Sequence, residues 1–222
     1  MRPRSKRDLI CLYEPRSAIA EAFRTLRSNI QFVGVHKKLR VLLMTSAGAG
    51  EGKTSTVLNL AIVMAQARQK VLIIDADMRK PQVHERMLMP GEPGLSNLLI
   101  GQVEQREAIH FAEEAQLDVM PSGPPPPNPA ELLNTPRLEE VLQQARQEYD
   151  YVLVDSPPLL PVTDAQVLSR HADGTLLVVD SRKALEENIR RAKSLLDLAG
   201  ANLMGFVVNN KKTAEKDNYY YA

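Results

Sequence analysis

Residues 41–54 read Val41-Leu42-Leu43-Met44-Thr45-Ser46-Ala47-Gly48-Ala49-Gly50-Glu51-Gly52-Lys53-Thr54, an apolar run that breaks into a glycine-rich loop ending in lysine and threonine. A strand entering a phosphate-binding P-loop has this form. Glycines at 48, 50 and 52 let successive backbone N–H groups converge on phosphate oxygens, Lys53 brings a point charge to the β and γ phosphates, and Thr54 offers a hydroxyl to Mg²⁺. The residues expected to line a bound nucleoside triphosphate are therefore Gly48, Ala49, Gly50, Glu51, Gly52, Lys53, Thr54 and Ser55. Ala47 stands where many P-loops have glycine, a tolerated variant. The stretch from Ser55 to Arg68 reads as a helix, which places the loop at a helix N-terminus, where anions are stabilised.

Outward from this loop, six short apolar runs lie near 39–45, 71–74, 117–120, 151–154, 174–179 and 203–208, mostly separated by helical segments. That rhythm predicts an α/β fold, a P-loop NTPase-like, mainly parallel sheet flanked by helices, with ligands at the carboxyl ends of its strands. A chain of 222 residues is long enough for one sizeable core. The expected division is a basic tail at 1–16, one P-loop domain at 17–210 and a disordered tyrosine-rich tail at 211–222. Within the domain, 17–34 reads as an amphipathic helix capped by Ser17, with Ile19, Phe23, Leu26, Ile30 and Val33 on one stripe and Glu21 and Arg24 on the other side. A core-facing helix is expected at 184–199, with Leu185, Ile189, Ala192, Leu195 and Leu196 inward. Pro124 to Pro127, followed by Asn128-Pro129, reads as a rigid elbow at the sheet's edge rather than an exposed proline-rich ligand.

The bulk composition narrows the function. Lys+Arg of 28 against Asp+Glu of 27 argues against a protein that coats nucleic acid, so no nucleic-acid partner is expected. Arg2, Arg4, Lys6 and Arg7 form a local basic cluster, read as a solvated tail. Cys11 is the sole cysteine, so no thiolate zinc or iron–sulfur site and no internal disulfide can form, which fits a reducing cytoplasm. His36, His84, His110 and His171 lack metal-ligand spacing. The longest apolar stretches fall far below the ~18 residues that span a bilayer, so membrane association is expected only through a partner or at the surface.

Three carboxylates fall at strand ends. Asp75 and Asp77 close the run Leu72-Ile73-Ile74-Asp75-Ala76-Asp77, and Asp155 closes Tyr151-Val152-Leu153-Val154-Asp155. Mg²⁺ keeps its waters and needs carboxylates to orient them, so an acid after a hydrophobic strand beside a P-loop is a metal partner. Asp155 and Asp77, with Thr54, fit that role. In the Asp75/Asp77 pair one residue could hold a metal-bound water while the other accepts a proton from an incoming hydroxyl; Asp75 is the first choice for base, and spacing leaves the order open. Asn209, just after the last apolar run, could read a base edge through its amide.

Together these segments resemble the bacterial protein-tyrosine kinases of the capsule and exopolysaccharide systems, over nearly the whole chain. The resemblance rests on Glu21-Ala22-Phe23-Arg24-Thr25-Leu26-Arg27, similar to the family's Glu-x-x-Arg-x-x-Arg oligomerisation helix, on Gly50-Glu51-Gly52-Lys53-Thr54, and on Ile73 to Pro81. It rests too on Val154-Asp155-Ser156-Pro157-Pro158, on Ser122 to Leu133, and on Tyr219, Tyr220 and Tyr221, which put three of the chain's six tyrosines in its last four residues. Ala49 departs from the proline often found there in the family, a change of loop stiffness more than of chemistry.

The resemblance implies a kinase using ATP and Mg²⁺ that phosphorylates Tyr219, Tyr220 and Tyr221, usually on a neighbouring subunit of a ring held by Glu21, Arg24 and Arg27. It implies Lys53, Asp75 and Asp77 as the catalytic set. It further implies a membrane-embedded activator of the polysaccharide co-polymerase type, protein substrates, a cognate tyrosine phosphatase, and a cytoplasmic protein recruited to the inner face of the membrane. The alternative is a partition or spatial-positioning ATPase of the related deviant P-loop group. Those proteins carry a signature lysine near the start of the loop, where this chain has Gly48, and nothing in that class calls for the tyrosine tail. A nucleotide-binding regulatory subunit without transfer activity would share most of the motifs, and phosphotyrosine on the purified protein separates the three.

Overall fold

The computed structural model describes residues 8–34 and 38–211. The basic cluster at Arg2–Arg7, His36 and the tyrosines Tyr219, Tyr220 and Tyr221 lie outside them. Among the described residues seven strands form one sheet in the order β3-β4-β2-β5-β1-β6-β7. They are β1 (Val41–Ser46), β2 (Val71–Asp75), β3 (His110–Ala112), β4 (Leu117–Met120), β5 (Tyr151–Asp155), β6 (Gly174–Asp180) and β7 (Leu203–Asn209). All pairings are parallel except β3 with β4.

Both faces of the central strands are covered, which is why they read as continuous apolar runs. In β1, Leu42 and Met44 enter one core cluster while Val41 and Leu43 enter the opposite one; in β2, Val71 and Ile73 part from Leu72 and Ile74 in the same way. On the first face lie α1 (Ile10–Tyr13), α2 (Ala18–Val33) and α3 (Lys53–Gln66). α4 (Val83–Met87) joins that face through Val83 and Met87, and the opposite side carries α5 (Leu95–Leu99), α6 (Pro129–Leu133), α7 (Pro136–Glu148), α8 (Asp164–Ser169) and α9 (Glu186–Leu198). In α7 the buried Leu138, Val141, Leu142 and Ala145 repeat at helical spacing behind Pro136 at the first turn. Each such aliphatic side chain contributes about 1.5–3 kcal/mol by leaving water. In α3 every residue from Thr56 to Met64 is buried, because the helix is sandwiched between the sheet and α2.

One polar residue inside that run has a structural use. Asn59 is 3 % exposed, and its amide accepts from Cys11 N at 2.9 Å and donates to Asp8 O and Ser55 O at 2.6 and 2.8 Å. It pins the start of the described chain onto α3.

Several expectations change. The edge strand β3 was not legible, because three residues flanked by Glu113 and Glu114 give no alternation to read. Ser17 does cap α2, accepting from Ala20 N at 3.1 Å, but the stripe is narrower than the periodicity suggests. Ile30 is buried and Phe23 and Leu26 are partly buried, whereas Ile19 and Val33 are 50 % and 55 % exposed, since the helix ends overhang α3. Leu185, expected inward, is 64 % exposed, at the N-cap of α9. The proline elbow leaves β4 and enters α6 at Pro129, tied to α5 by Ser96 Oγ donating to Pro124 O at 2.7 Å.

Arg27 requires the largest revision on α2. Glu21 and Arg24 pair with each other at 2.7 Å, and Arg24 also donates to Pro15 O. Arg27 instead turns toward α3 and donates to Val63 O at 2.9 Å. It is a brace within the chain, not part of a free face. Arg27→Ala is expected to destabilise the fold by about 1–2 kcal/mol through the lost hydrogen bond and stem packing, while Glu21→Ala, an exposed pair, should cost less than about 0.5 kcal/mol. Urea unfolding checks this, and an unchanged midpoint for Arg27→Ala would overturn the bracing role.

Candidate active site

The sheet order places the site. β1 leads to β2 across the intervening β5, so the chain diverges at the carboxyl end of β1 and leaves a crevice there. The P-loop fills it. Gly50 and Gly52 have φ of +73° and +96°, a left-handed backbone that side chains resist; a Cβ on Gly52 would also lie 2.0 Å from Asn209 Nδ2.

The loop is braced from behind by residues that end the neighbouring strands. Glu51, expected at the nucleotide, is 5 % exposed and folds its carboxylate inward, accepting from Gly48 N at 2.6 Å and from Asp180 N, at the end of β6, at 3.2 Å. Asn209, at the end of β7, donates through Nδ2 to Glu51 O at 3.1 Å and accepts from Asn210 N at 2.9 Å. The amide expected to read a base edge is thus engaged in holding the loop. Lys183 Nζ donates to Gly50 O at 3.1 Å.

In front of the loop lies a cavity of about 400 Å³. Ala49, Gly50, Gly52, Lys53 and Thr54 form its floor; Asp77, Arg79, Lys80, Gln82 and Arg86 form one wall and Pro157, Pro158, Pro161 and Val162 the other. Lys53 is 8 % exposed, so its charge works where solvent screens it little. Gly48, Glu51 and Ser55 lie in or beside the loop, outside that lining.

Asp75 and Asp155 are side by side in register at the ends of β2 and β5. Thr54 Oγ1 donates to Asp155 Oδ2 at 2.6 Å, and Asp155 Oδ1 is buried with no hydrogen-bond partner. Burial pushes the Asp155 carboxyl up to about 6, with Lys53 and the Thr54 hydroxyl pulling the other way. Asp75 is 0 % exposed and accepts from Asp77 N, Gln82 N and Val83 N at 3.2, 3.1 and 3.0 Å. Burial first, and then the Asp155 charge, hold it well above the usual carboxylate range. Asp77 is also raised, chiefly by burial. The sequence reading made Asp75 the first choice for base and left the order of the pair open. Asp77 lines the cavity, and Asp75 is sealed behind it by the start of α4.

A hydroxyl, an unpaired carboxylate oxygen and a second cavity-facing acid form an oxygen donor set that suits Mg²⁺ and would suit a softer metal poorly. Among the described residues no group of three or more His, Cys, Asp or Glu forms a metal cage. Sequence reasoning left three neighbours without roles. Arg79 makes a two-pronged pair with the buried Asp164 at 2.9 and 3.0 Å, which fixes the loop after Asp77. Arg86 reaches Ser55, and the proline wall follows Asp155 directly.

Fold and site define a P-loop nucleotide-binding protein of the α/β class. Residues 39–195 match a family described as an AAA domain. The tyrosine-protein kinase YwqD of Bacillus subtilis (strain 168) is 42 % identical over 218 residues, covering 98 % of this chain and 92 % of that protein. The kinase domain of the Escherichia coli tyrosine kinase ETK superposes with a TM-score of 0.90 at 34 % identity, over 96 % of this chain and 84 % of that one. A septum site-determining protein MinD from Pyrococcus horikoshii OT3, complexed with Mg-ADP, matches at a TM-score of 0.67 and 22 % identity over 80 % and 73 %, a likeness of fold alone. The chain belongs to the bacterial tyrosine-protein kinase family and is a protein-tyrosine kinase. Among the described residues no helix is long and apolar enough to cross a membrane.

Proposed function

We propose that the chain transfers the γ-phosphoryl group of ATP, with Mg²⁺, to Tyr219, Tyr220 and Tyr221 of a neighbouring subunit in a ring, and thereby regulates capsule or exopolysaccharide synthesis or export. The observation that carries the reading is the convergence of Lys53, Thr54 and Asp77 on one cavity, with Asp155 buried behind it and bonded to Thr54, in a chain with three tyrosines in its last four residues. Loop N–H groups and Lys53 hold the phosphates. Thr54, Asp155 and Asp77 hold Mg²⁺ and its waters, and the ion when bound neutralises charge on the phosphates. The tyrosine oxygen forms the new bond to phosphorus, the bond to the bridging oxygen breaks, ADP leaves, and the phenolic proton passes to the Asp75/Asp77 pair, with Asp77 the member at the cavity wall. Arg24 and Glu21, paired with each other on a partly exposed face, would exchange partners with a second subunit. Arg27 supports that helix from within.

Strand β7 ends beside the P-loop, and the twelve residues from Lys211 to Ala222 reach at most roughly 40 Å. Reach alone permits a chain to serve either its own site or a neighbour's. Each phosphate adds about −1.5 to −2 charge facing Asp75, Asp77 and Asp155, so modification should expel the tail and loosen the ring until a phosphatase resets it. A membrane-embedded partner's cytoplasmic segment favours the ATP-retaining state and recruits the kinase to the inner face of the membrane.

Mixing supplies the test. A Lys53→Met chain with its tyrosines is combined with an active chain whose tail tyrosines are Phe, with and without the partner's segment, and is sized before and after ATP. Label is expected on the Lys53→Met chain, in greater amount with the segment, together with a smaller assembly. An unlabelled Lys53→Met chain defeats transfer between subunits, and an unchanged size after full labelling defeats release.

A further inference from the structure

We infer that Arg86 is a second phosphate-binding cation of the nucleotide cavity, that it orients the Ser55 hydroxyl, and that Asp8 holds it in reserve. The inference rests on the nucleotide reading above and goes beyond it, since neither the P-loop nor the acid motifs specify this residue.

Among the described residues four cationic side chains line the cavity, and their circumstances differ. Lys53 belongs to the loop, Arg79 is committed to Asp164, and Lys80 is exposed. Arg86 alone is partly buried, 23 % exposed in its side chain, without a close two-pronged partner. Its NH1 donates to Ser55 Oγ at 2.6 Å and stands 3.4 Å from Asp8 Oδ1; its NH2 donates to Gln82 Oε1. These contacts occupy at most three of the five N–H donors that a guanidinium carries. Because Ser55 Oγ accepts from Arg86, the serine's own proton is turned toward another acceptor. Ser55 follows Thr54 in the first turn of α3, where free backbone N–H groups already favour an anion. The Arg86 charge reaches the metal side of the cavity too, being one of the groups that pull the Asp155 carboxyl down against its burial.

Asp8 is held in place as a counter-ion. Its carbonyl accepts from Asn59 Nδ2 at 2.6 Å, one turn along α3 from Ser55. A phosphate entering the cavity therefore competes with a fixed carboxylate for the same guanidinium.

The test is a calorimetric titration of the full chain with Mg²⁺ and ADP at low and high salt. Arg86→Met is expected to weaken ADP binding about tenfold at low salt, the size of one charge-assisted contact, with the gap narrowing at high salt. Arg86→Lys should recover part of the loss, and Asp8→Asn should tighten binding severalfold. A loss independent of salt, or weaker binding in Asp8→Asn, would show Arg86 to be a staple between α1, α3 and α4 and overturn the inference. If Arg86→Met does not fold, Arg86→Lys and Asp8→Asn decide the matter. Wild-type protein that binds no ADP defeats the nucleotide reading itself; wild type and Arg86→Met binding equally, with Lys53→Met impaired, defeats only this inference.

Discussion

Lys53→Met is expected to lower tyrosine phosphorylation by roughly 30- to 1,000-fold, the equivalent of about 2–4 kcal/mol of transition-state stabilisation, while leaving the fold intact. The fold should survive because Lys53 sits at the first position of α3 and is 8 % exposed, in a space that a methionine of similar length fills. The loss has two sources. One is the charge-assisted contact with the phosphates. The other acts through Asp155: Lys53 is the largest influence pulling that carboxyl down against its burial. Without the lysine the carboxyl rises above about 6, and a growing fraction is protonated near neutral pH and cannot hold a metal-bound water. The variant should therefore need more Mg²⁺ as well as more ATP, with the defect partly relieved at higher pH. Mass spectrometry of the tail checks the rate, and a thermal melt checks the fold. Phosphorylation at the wild-type rate in folded Lys53→Met protein would falsify the assignment.

How much of this could be read in advance depends on sequence distance. The P-loop was legible because its parts are contiguous: Gly48 to Thr54 carry the turn, the charge and the hydroxyl in one run, and the apolar run before them fixes the strand. Six of the seven strands were legible for the same reason, each being a local apolar run, and the carboxyl-end rule then brought Asp75, Asp77 and Asp155 to one edge. Side-chain destinations were not. Arg27 looks like a surface cation by its period, yet bonds a carbonyl 36 residues away. Arg79 meets Asp164 across 85 residues and Glu51 meets Asp180 across 129. Periodicity states which face of an element a residue occupies; it does not state what packs on that face or how far the neighbour extends. Ile19 and Leu185 failed for that reason, since both sit on an apolar face beyond the end of the surface that covers it.

Asp155→Asn is expected to stabilise the ligand-free protein and to disable the enzyme. Asparagine keeps the shape, and its Oδ1 can still accept from Thr54 Oγ1, where the carboxylate accepts at 2.6 Å. What it removes is a buried negative charge. Asp155 has its carboxyl raised from 3.8 to about 6, chiefly by burial. Between those values the folded state binds a proton that the unfolded state has already released, so this group's contribution is most favourable below pH 3.8 and becomes a full cost above pH 6. A shift of this size corresponds to a cost on the order of 3 kcal/mol at pH 7.5, and removing it should raise the melting temperature by several degrees, with the gain shrinking as pH falls toward 4. The Asp75 carboxyl, held up partly by the Asp155 charge, should relax downward in the variant. Activity moves in the opposite direction. An outer-shell carboxylate on a metal is worth about 10–100-fold, so transfer should fall by that factor at limiting Mg²⁺ and recover in part when Mg²⁺ is raised. With Mg²⁺ and ATP present the stability order should narrow or invert, because wild type gains more from binding than the variant does. The measurement is a pair of melting curves across pH 4–8, with and without Mg²⁺ and nucleotide, beside a Mg²⁺ titration of the transfer rate. A ligand-free variant less stable than wild type at pH 7.5, or one with an unchanged Mg²⁺ requirement, would show that Asp155 serves the fold rather than the metal.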